Sequence, residues 1–324
     1  MPYAIRMHAH GGPEVLVYEK VPAPDPAPGE VLVRQHAIGV NYIDIYHRTG
    51  LYPLPSLPVT IGSEGAGEVI AIGSDVSRLK VGDKVAYAGP IGAYAEVRTV
   101  PEDRVVKLPD GIDYELAAAL MLKGMTVRML LREVYPIDAG TTLLFHAAAG
   151  GIGLIACQWA RALGATMIGT VSSDEKAALA KENGCAHVIN TKRDDFVERV
   201  RVLTAGRGCD VVYDSVGKDT FPKSLDCLKP KGLWVSFGNS SGPVPPFALT
   251  ALKGSLFATR PSILPYTATT EDLEANAADV FRMVLSKAIR IATNHRYPLA
   301  RAADAHRDLE ARRTTGSVIL VPEE

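Results

Sequence analysis

The chain has 324 residues, room for two domains at ~150 residues each. Lys+Arg 35 against Asp+Glu 36 leave a formal charge of −1, with 47% of residues hydrophobic and 22% charged. These figures exclude wholesale disorder and a nucleic-acid binder working through a basic field, and 6% aromatic content leaves little for base-stacking platforms.

Residues 1–120 read as strands: Val31, Leu32 and Val33 after the turn-rich stretch from Pro22 to Gly29, the Gly-punctuated segment Gly62 to Gly73, and Val81 to Tyr87. They predict an antiparallel half-barrel. Pro101 to Gly111 reads as a loop and Glu115 to Leu131 as a helix. From Thr141 strands and helices alternate. Strands are predicted at Thr141–Ala147, Met167–Val171, His187–Asn190, Asp210–Asp214, Gly232–Phe237 and Ser255–Thr259. Helices are predicted between them at Ile152–Leu163, Glu175–Glu182, Asp195–Thr204 and Phe221–Cys227. Such alternation predicts right-handed crossovers and a doubly wound parallel sheet. From roughly Thr267 the chain reads as helical and ends in the strand Ser317–Val321. Six strands complete a sheet of this kind, so the tail is expected to fold back onto the first domain. The predicted class is α/β: a β-rich domain of residues 1–122 and 264–324, and a doubly wound domain of residues 123–263.

Cys157, Cys185, Cys209 and Cys227 lack C-x-x-C spacing, so neither a thiol redox pair nor a zinc knuckle is indicated. The N-terminal stretch has no apolar signal-peptide core, and no run approaches the roughly 18–20 apolar residues that span a bilayer. A cytoplasmic protein with reduced core cysteines and no membrane association is expected.

The strongest motif runs from Leu143 to Gly153 and reads as a dinucleotide fingerprint, A-x-G-x-x-G, with Ala148 in place of the first glycine. Gly150 lets backbone approach a pyrophosphate, and Gly153 lets the helix pack on the strand. Ala149, Gly151 and Ile152 complete the turn, and the helix N-terminal N–H groups suit phosphate oxygens. A plain tight turn is the bland alternative, but this one follows a strand, opens a helix and heads a βαβ series. The next strand ends in Ser172-Ser173, followed by Asp174, Glu175 and Lys176, with Arg193 past the third strand. Hydroxyls and cations suit the 2′-phosphate of NADPH better than a free ribose, although Asp174 is also where NAD would be gripped. Ser215, the run Phe237-Gly238-Asn239-Ser240-Ser241, and Arg260-Pro261-Ser262 sit at further strand ends, where open α/β sheets bind ligands.

The chain resembles the medium-chain dehydrogenase/reductases, and within them the zinc-independent quinone oxidoreductases related to ζ-crystallin. The resemblance covers essentially the whole chain. It is carried by His10-Gly11-Gly12-Pro13-Glu14-Val15-Leu16, Gly39-Val40-Asn41-Tyr42-Ile43-Asp44, Gly50-Leu51-Tyr52-Pro53 and Gly62-Ser63-Glu64-Gly65-Ala66-Gly67. Leu122-Lys123-Gly124-Met125-Thr126, the Gly150 turn and Ser236 to Ser241 continue it. It implies a GroES-like β-rich catalytic domain, a Rossmann NADPH domain, and reduction of a quinone in the cleft between them. Asn41 stands where the superfamily's zinc alcohol dehydrogenases have a cysteine, and Ser63 where they have a histidine; no cysteine precedes Cys157. A zinc site is not expected, since amide and hydroxyl are poor ligands. Hydride acceptance then needs an acceptor that is electrophilic on its own, a quinone or an activated alkene.

The resemblance also implies that Asn41, Tyr46 and Tyr52 face substrate, that Asp44 braces their loop or touches cofactor, and that Thr126 lies near the nicotinamide. Arg312 matches an arginine that reaches the cofactor in relatives, with Arg313 beside it. None of the histidines shows ligand spacing, and none is assigned to catalysis; His146 reads as structural. Thr191 stands where relatives commonly stack a tyrosine, and Arg128 and Met129 replace an aromatic pair. Relatives pair as homodimers through the strand at Ser255–Arg260. Two alternatives stay open: a 2-alkenal or enoyl reductase on the same scaffold, and a ζ-crystallin-like RNA-binding or structural protein, against which the net charge weighs.

Overall fold

Strand β1 (Tyr3–Met7) pairs antiparallel with β2 (Leu16–Lys20), and an eleven-residue strand, β3 (Glu30–Val40), follows. In this computed structural model, which describes residues 1–323, β3 alternates buried Val31, Val33, Gln35 and Ala37 with more exposed residues. That is the pattern of a strand with one face on a core. Its last four residues are buried throughout. Helix α1 (Tyr42–Thr49) comes next, then β4 (Val59–Thr60), β5 (Glu64–Ile72), β6 (Lys84–Ala88), β7 (Val97–Pro101), β8 (Val106–Lys107) and α2 (Tyr114–Met129).

The chain divides into two units. Unit 2 spans Thr126–Pro265 and Lys287–Arg290. It holds β9 (Thr142–Phe145), α3 (Gly151–Ala162), β10 (Thr166–Val171), α4 (Asp174–Glu182), β11 (His187–Asn190), α5 (Phe196–Leu203), β12 (Cys209–Asp214), β13 (Leu228–Ser236) and β14 (Phe257–Thr259). Unit 1 comprises Met1–Met125, Tyr266–Ser286 and the segment from Ile291 onward. Its later elements are α6 (Thr270–Leu285), β15 (Thr293–Pro298), α7 (Ala302–Glu310) and β16 (Ser317–Val321).

In unit 2 six parallel strands lie in the order β11-β10-β9-β12-β13-β14. This is the doubly wound order of a dinucleotide-binding sheet, with its switch point beside β9. Leu143, Leu144 and Phe145 are all buried, as a central parallel strand covered on both faces requires. In unit 1 a seven-stranded sheet runs β15-β16-β3-β5-β6-β8, with β7 also on β3. The GroES-like half-barrel of the sequence reading is this sheet. Strand β16 pairs antiparallel with β3 through Val318–Val40, Ile319–Gly39 and Leu320–Ile38, so the tail does return to the first unit.

Four expectations are corrected. Residues 42–49 form a helix within a stretch read as strands, because Asn41 opens it and Gly50 closes it at φ 79. Residues 221–227 are turns and one short 3-10 segment rather than a helix: Pro222 has no N–H to donate and biases Phe221 away from helical backbone. Strand β15 was not anticipated; its alternation is of half-buried and exposed polar residues. Strand β14 starts at Phe257, since Ser255 sits at φ 58, which no strand accommodates. All four cysteines are buried and free, and among the described residues no helix is long and apolar enough to cross a membrane.

Leu320 is fully buried in the unit 1 core with Val40, Val85 and Leu299. Leu320→Ala is expected to lower stability by about 2–5 kcal/mol, read as an earlier midpoint in urea unfolding.

Candidate active site

In unit 2 the chain leaves β9 through His146 and Ala147, the latter at φ 57, and enters α3 at Gly150. A Cβ on Gly153 would lie 2.4 Å from the Ala147 carbonyl oxygen, so helix and turn touch there only because the side chain is missing. A Cβ on Gly150 would meet nothing closer than that same oxygen at 3.3 Å. Packing within the protein therefore accounts for Gly153. Gly150 instead keeps a backbone surface bare at a helix N-terminus whose first N–H groups have no partner in the helix. Ala149 is buried, while Gly151 and Ile152 are half-buried.

Beyond β10, the Ser173 hydroxyl caps α4 by accepting the Lys176 N–H at 3.3 Å. Asp174 is not a lone carboxylate: Arg193 pairs with it at 3.0 Å and the Asn190 amide donates to it at 3.0 Å. Ser172 and Lys176 are half-buried in the same turn. The two loops after β12 and β13 interlock. Phe237 N–H donates to the Asp214 carbonyl, Ser240 N–H to Ser215 and Ser241 N–H to Val216, and the Ser241 hydroxyl donates to the Val216 carbonyl at 2.8 Å. A Cβ on Gly238 would come within 2.7 Å of the Ser215 carbonyl oxygen. Asn239 is buried there, and Arg260 donates to the Ser236 carbonyl at 3.2 Å, with Pro261 and Ser262 following. Thr126 lies inside α2, not at a helix start, and is half-buried. Arg128 pairs with Glu133, and Met129 is buried. Thr191 closes the β10–β11 edge through the Val171 carbonyl. His146 is a buried structural residue between Thr170 at 2.9 Å and Ser224 at 3.0 Å.

In unit 1, Asn41 and Asp44 open α1, and both are buried. The Asn41 amide donates to Glu64 Oε1 at 2.8 Å, the oxygen that also accepts Lys123 Nζ at 2.8 Å; the other Glu64 oxygen accepts the Leu122 N–H at 2.6 Å. Asp44 is 0% exposed. Its Oδ2 accepts the Asn41 N–H at 2.9 Å and the Tyr94 hydroxyl at 3.0 Å, and its Oδ1 accepts the Ser63 hydroxyl at 3.1 Å. Gly62, at φ 98, has the Tyr94 ring where a Cβ would stand, 2.2 Å away. Tyr94 continues to His306 Nε2 at 2.9 Å, whose Nδ1 faces Arg48 Nη1 at 3.1 Å; Arg48 is buried and pairs with Glu310 at 2.7 Å.

Burial pushes the Asp44 carboxyl up to about 7, against its three hydrogen-bond donors and with the help of Glu64. Burial, reinforced by the Arg48 cation, holds the His306 imidazole down at about 3. Tyr46 is buried and packs edge-on against the half-buried Tyr52, ring centroids 5.1 Å apart. Arg312 sits near Tyr42 at φ 57, whereas Arg313 is committed to Asp308 at 2.8 Å.

Ser63, Glu64, Tyr94, Lys123, His306 and Arg48 were not anticipated as site residues. Ser63, Glu64 and Lys123 stand inside motifs already quoted; Arg48, Tyr94 and His306 come from segments outside them. An amide, a hydroxyl and a carboxylate already shared by three donors do not make a zinc ligand set. Among the described residues no group of three or more His, Cys, Asp or Glu is arranged to hold a metal ion. A cavity of about 770 Å³ between β8 and α6 contains none of these residues, and Arg78 and Lys107 on its wall are paired with Glu274 and Asp83.

Residues 151–281 match the zinc-binding dehydrogenase family and residues 27–110 the GroES-like domain of alcohol dehydrogenases. The chain is 56% identical to the quinone oxidoreductase of Pseudomonas aeruginosa over 98% of its own length and 99% of that protein's. It superposes on the Escherichia coli quinone oxidoreductase complexed with NADPH with a TM-score of 0.97 at 49% identity, covering 99% of this chain and 100% of that one. A 2-haloacrylate reductase from Burkholderia sp. is 41% identical over 100% of both chains.

His306 is neutral in the native state and ordinary in the unfolded one, so below pH 6.5 the unfolded chain binds the extra proton. Its contribution to stability is therefore complete above pH 6.5 and is lost as pH falls toward 3. Relative to the wild type, His306→Gln is expected to gain up to about 1.4 kcal/mol per pH unit lowered across that window. Urea unfolding of both proteins at several pH values measures this.

Proposed function

The chain belongs to the quinone oxidoreductases of the medium-chain dehydrogenase/reductase superfamily and is an NADPH-dependent enzyme of that class; from this we propose how its own residues serve the reaction. When bound, NADPH supplies a hydride. The β9–α3 turn from Ala149 to Gly153 takes the pyrophosphate, with the bare backbone at Gly150 as the observation that supports this most directly. Ser172, Ser173 and Lys176 take the 2′-phosphate, with Arg193 at its edge. The pairing of Asp174 with Arg193 and Asn190 supports that choice, since it leaves no isolated carboxylate to repel a phosphate or hold a free ribose.

Asn41, Tyr46 and Tyr52 face the quinone. With one amide N–H of Asn41 held by Glu64 and its side-chain oxygen turned to the Asp44 N–H at the start of α1, its remaining N–H is what it offers a ligand. The chemistry runs without zinc: the Lys123 ammonium neutralises Glu64 beside Asn41, and the acceptor's own conjugation does the electrophilic work. The protein's share is orientation and exclusion of water. The likeness to a 2-haloacrylate reductase supports activated alkenes as second acceptors. We place the enzyme in the cytoplasm, consistent with four buried, free thiols. It forms a homodimer: β14 is an edge strand with Phe257 61% exposed, near Leu249 at 80% and Leu264 at 59% in sequence.

Quinone-dependent loss of nicotinamide absorbance is expected with NADPH and 1,4-naphthoquinone, with slower turnover of crotonaldehyde. Lys176→Asp should weaken NADPH binding at least about tenfold while changing NADH binding little, since one charge-assisted contact becomes a repulsion. Asn41→Ala should lower kcat/KM for the quinone about 10- to 100-fold and leave NADPH affinity in place. Equal affinities for NADPH in wild type and Lys176→Asp would remove the 2′-phosphate assignment. Light scattering should give twice the chain mass, and Phe257→Asp the single-chain mass.

A further inference from the structure

Reduction of a quinone needs a proton as well as a hydride, and the hydrogen-bond directions in unit 1 show where one is kept. Arg48 has donors only, so the His306 Nδ1 it meets must be an acceptor. The His306 proton is then on Nε2 and points to the Tyr94 oxygen, which turns the Tyr94 hydroxyl hydrogen toward Asp44 Oδ2. The Asn41 N–H points at that same oxygen. Asp44 Oδ2 is thus faced by two groups that donate and do not accept. Oδ1 has one partner, the Ser63 hydroxyl, which both donates and accepts. A proton on Asp44 therefore resides on Oδ1 and points at Ser63.

We propose that Asp44 and Ser63 form the proton relay of the reaction, Ser63 giving its hydroxyl proton to the reduced quinone's oxygen and recovering one from Asp44 Oδ1. This rests on the reading that the quinone sits against Asn41. Asn41 and Ser63 donate to the two oxygens of one carboxylate, so the serine hydroxyl is beside that residue. The hydride carries two electrons to the quinone, an O–H bond forms at its oxygen as the Ser63 O–H breaks, and an O–H bond re-forms on Ser63 as that of Asp44 breaks. Asp44 is left ionised and takes a solvent proton back through Ser63 once the hydroquinone leaves. The charged groups facing Asp44 suit this cycle. Glu64, neutralised by Lys123, lies on β5, while Tyr94, His306 and Arg48 approach from the other side and send only donors. Burial together with Glu64 lifts the carboxyl to about 7, so it is loaded below neutral pH and in part at it.

The test is kcat with NADPH and 1,4-naphthoquinone from about pH 5.5 to about pH 9, in the full-length wild type, Ser63→Ala, Tyr94→Phe and Asn41→Ala. Wild-type kcat should fall as pH rises through the Asp44 titration. Ser63→Ala should be about 100-fold slower below neutral pH and independent of pH, the gap closing in alkali. Tyr94→Phe removes a bond to the ionised carboxyl, so the fall in kcat should move up by about one pH unit, which a structural role would not do. Independently of turnover, the infrared carbonyl band of a neutral carboxylic acid in the cofactor-free protein should titrate with the same midpoint and shift in frequency in Ser63→Ala. If Ser63→Ala keeps wild-type kcat and pH dependence while Asn41→Ala impairs quinone use, the relay is wrong and the quinone site stands. If neither variant changes quinone kinetics, both fail.

Discussion

The Asp44 carboxylate is the point on which unit 1 is organised. It is wholly shielded from water, yet it receives hydrogen bonds from the start of α1, from Ser63 just before β5 and from Tyr94 in the loop between β6 and β7. Through Tyr94 and His306 the same network reaches Arg48 at the far end of α1 and Glu310 at the end of α7. A buried polar atom left unsatisfied costs roughly 1–3 kcal/mol, so each partner holds the next in place. The carboxylate fixes the orientation of α1, and with it the directions of Asn41 and Tyr46.

A second carboxylate, Glu64, does the equivalent work one residue after Ser63. It collects the Asn41 amide, the Lys123 ammonium and the Leu122 N–H, so strand β5, helix α2 and the approach to α1 converge on two oxygens. A lone charge in such a place would be prohibitive, and the pairing with Lys123 makes it tolerable. Around it stand an ammonium, an amide and, one residue away, a hydroxyl, each already engaged with a carboxyl oxygen.

What the sequence made legible was what neighbouring residues encode. The apolar runs of β9, β10 and β12, the Gly150 and Gly153 turn and the alternation of unit 2 are local, and the expectation of a six-stranded, doubly wound parallel sheet followed from them. Helix α1 was hidden because Tyr42, Ile43 and Ile45 favour strands as much as helices, and the deciding feature is the Asn41–Asp44 opening rather than composition. Strand β15 was hidden because its side chains are polar on both faces. The polar network was hidden for a different reason: Asp44, Ser63, Tyr94, Lys123 and His306 share no spacing, and only the folded sheet brings them together. A buried histidine with a fixed tautomer looks, in sequence, like any other.

The return of β16 to β3 has a consequence for the order in which the protein is built. Val40 must find Val318, and between them lies every residue of unit 2. As the chain emerges from a ribosome, unit 2 can collapse on contacts that are almost all internal to one stretch, while the end of β3, already paired with β5 on one edge, waits with its other edge open. His306 and Glu310 arrive with the same late segment. The buried arginine of α1 therefore acquires its His306 and Glu310 partners, and Tyr94 its imidazole, only after all of unit 2 has been made, and until then that end of the network remains solvated.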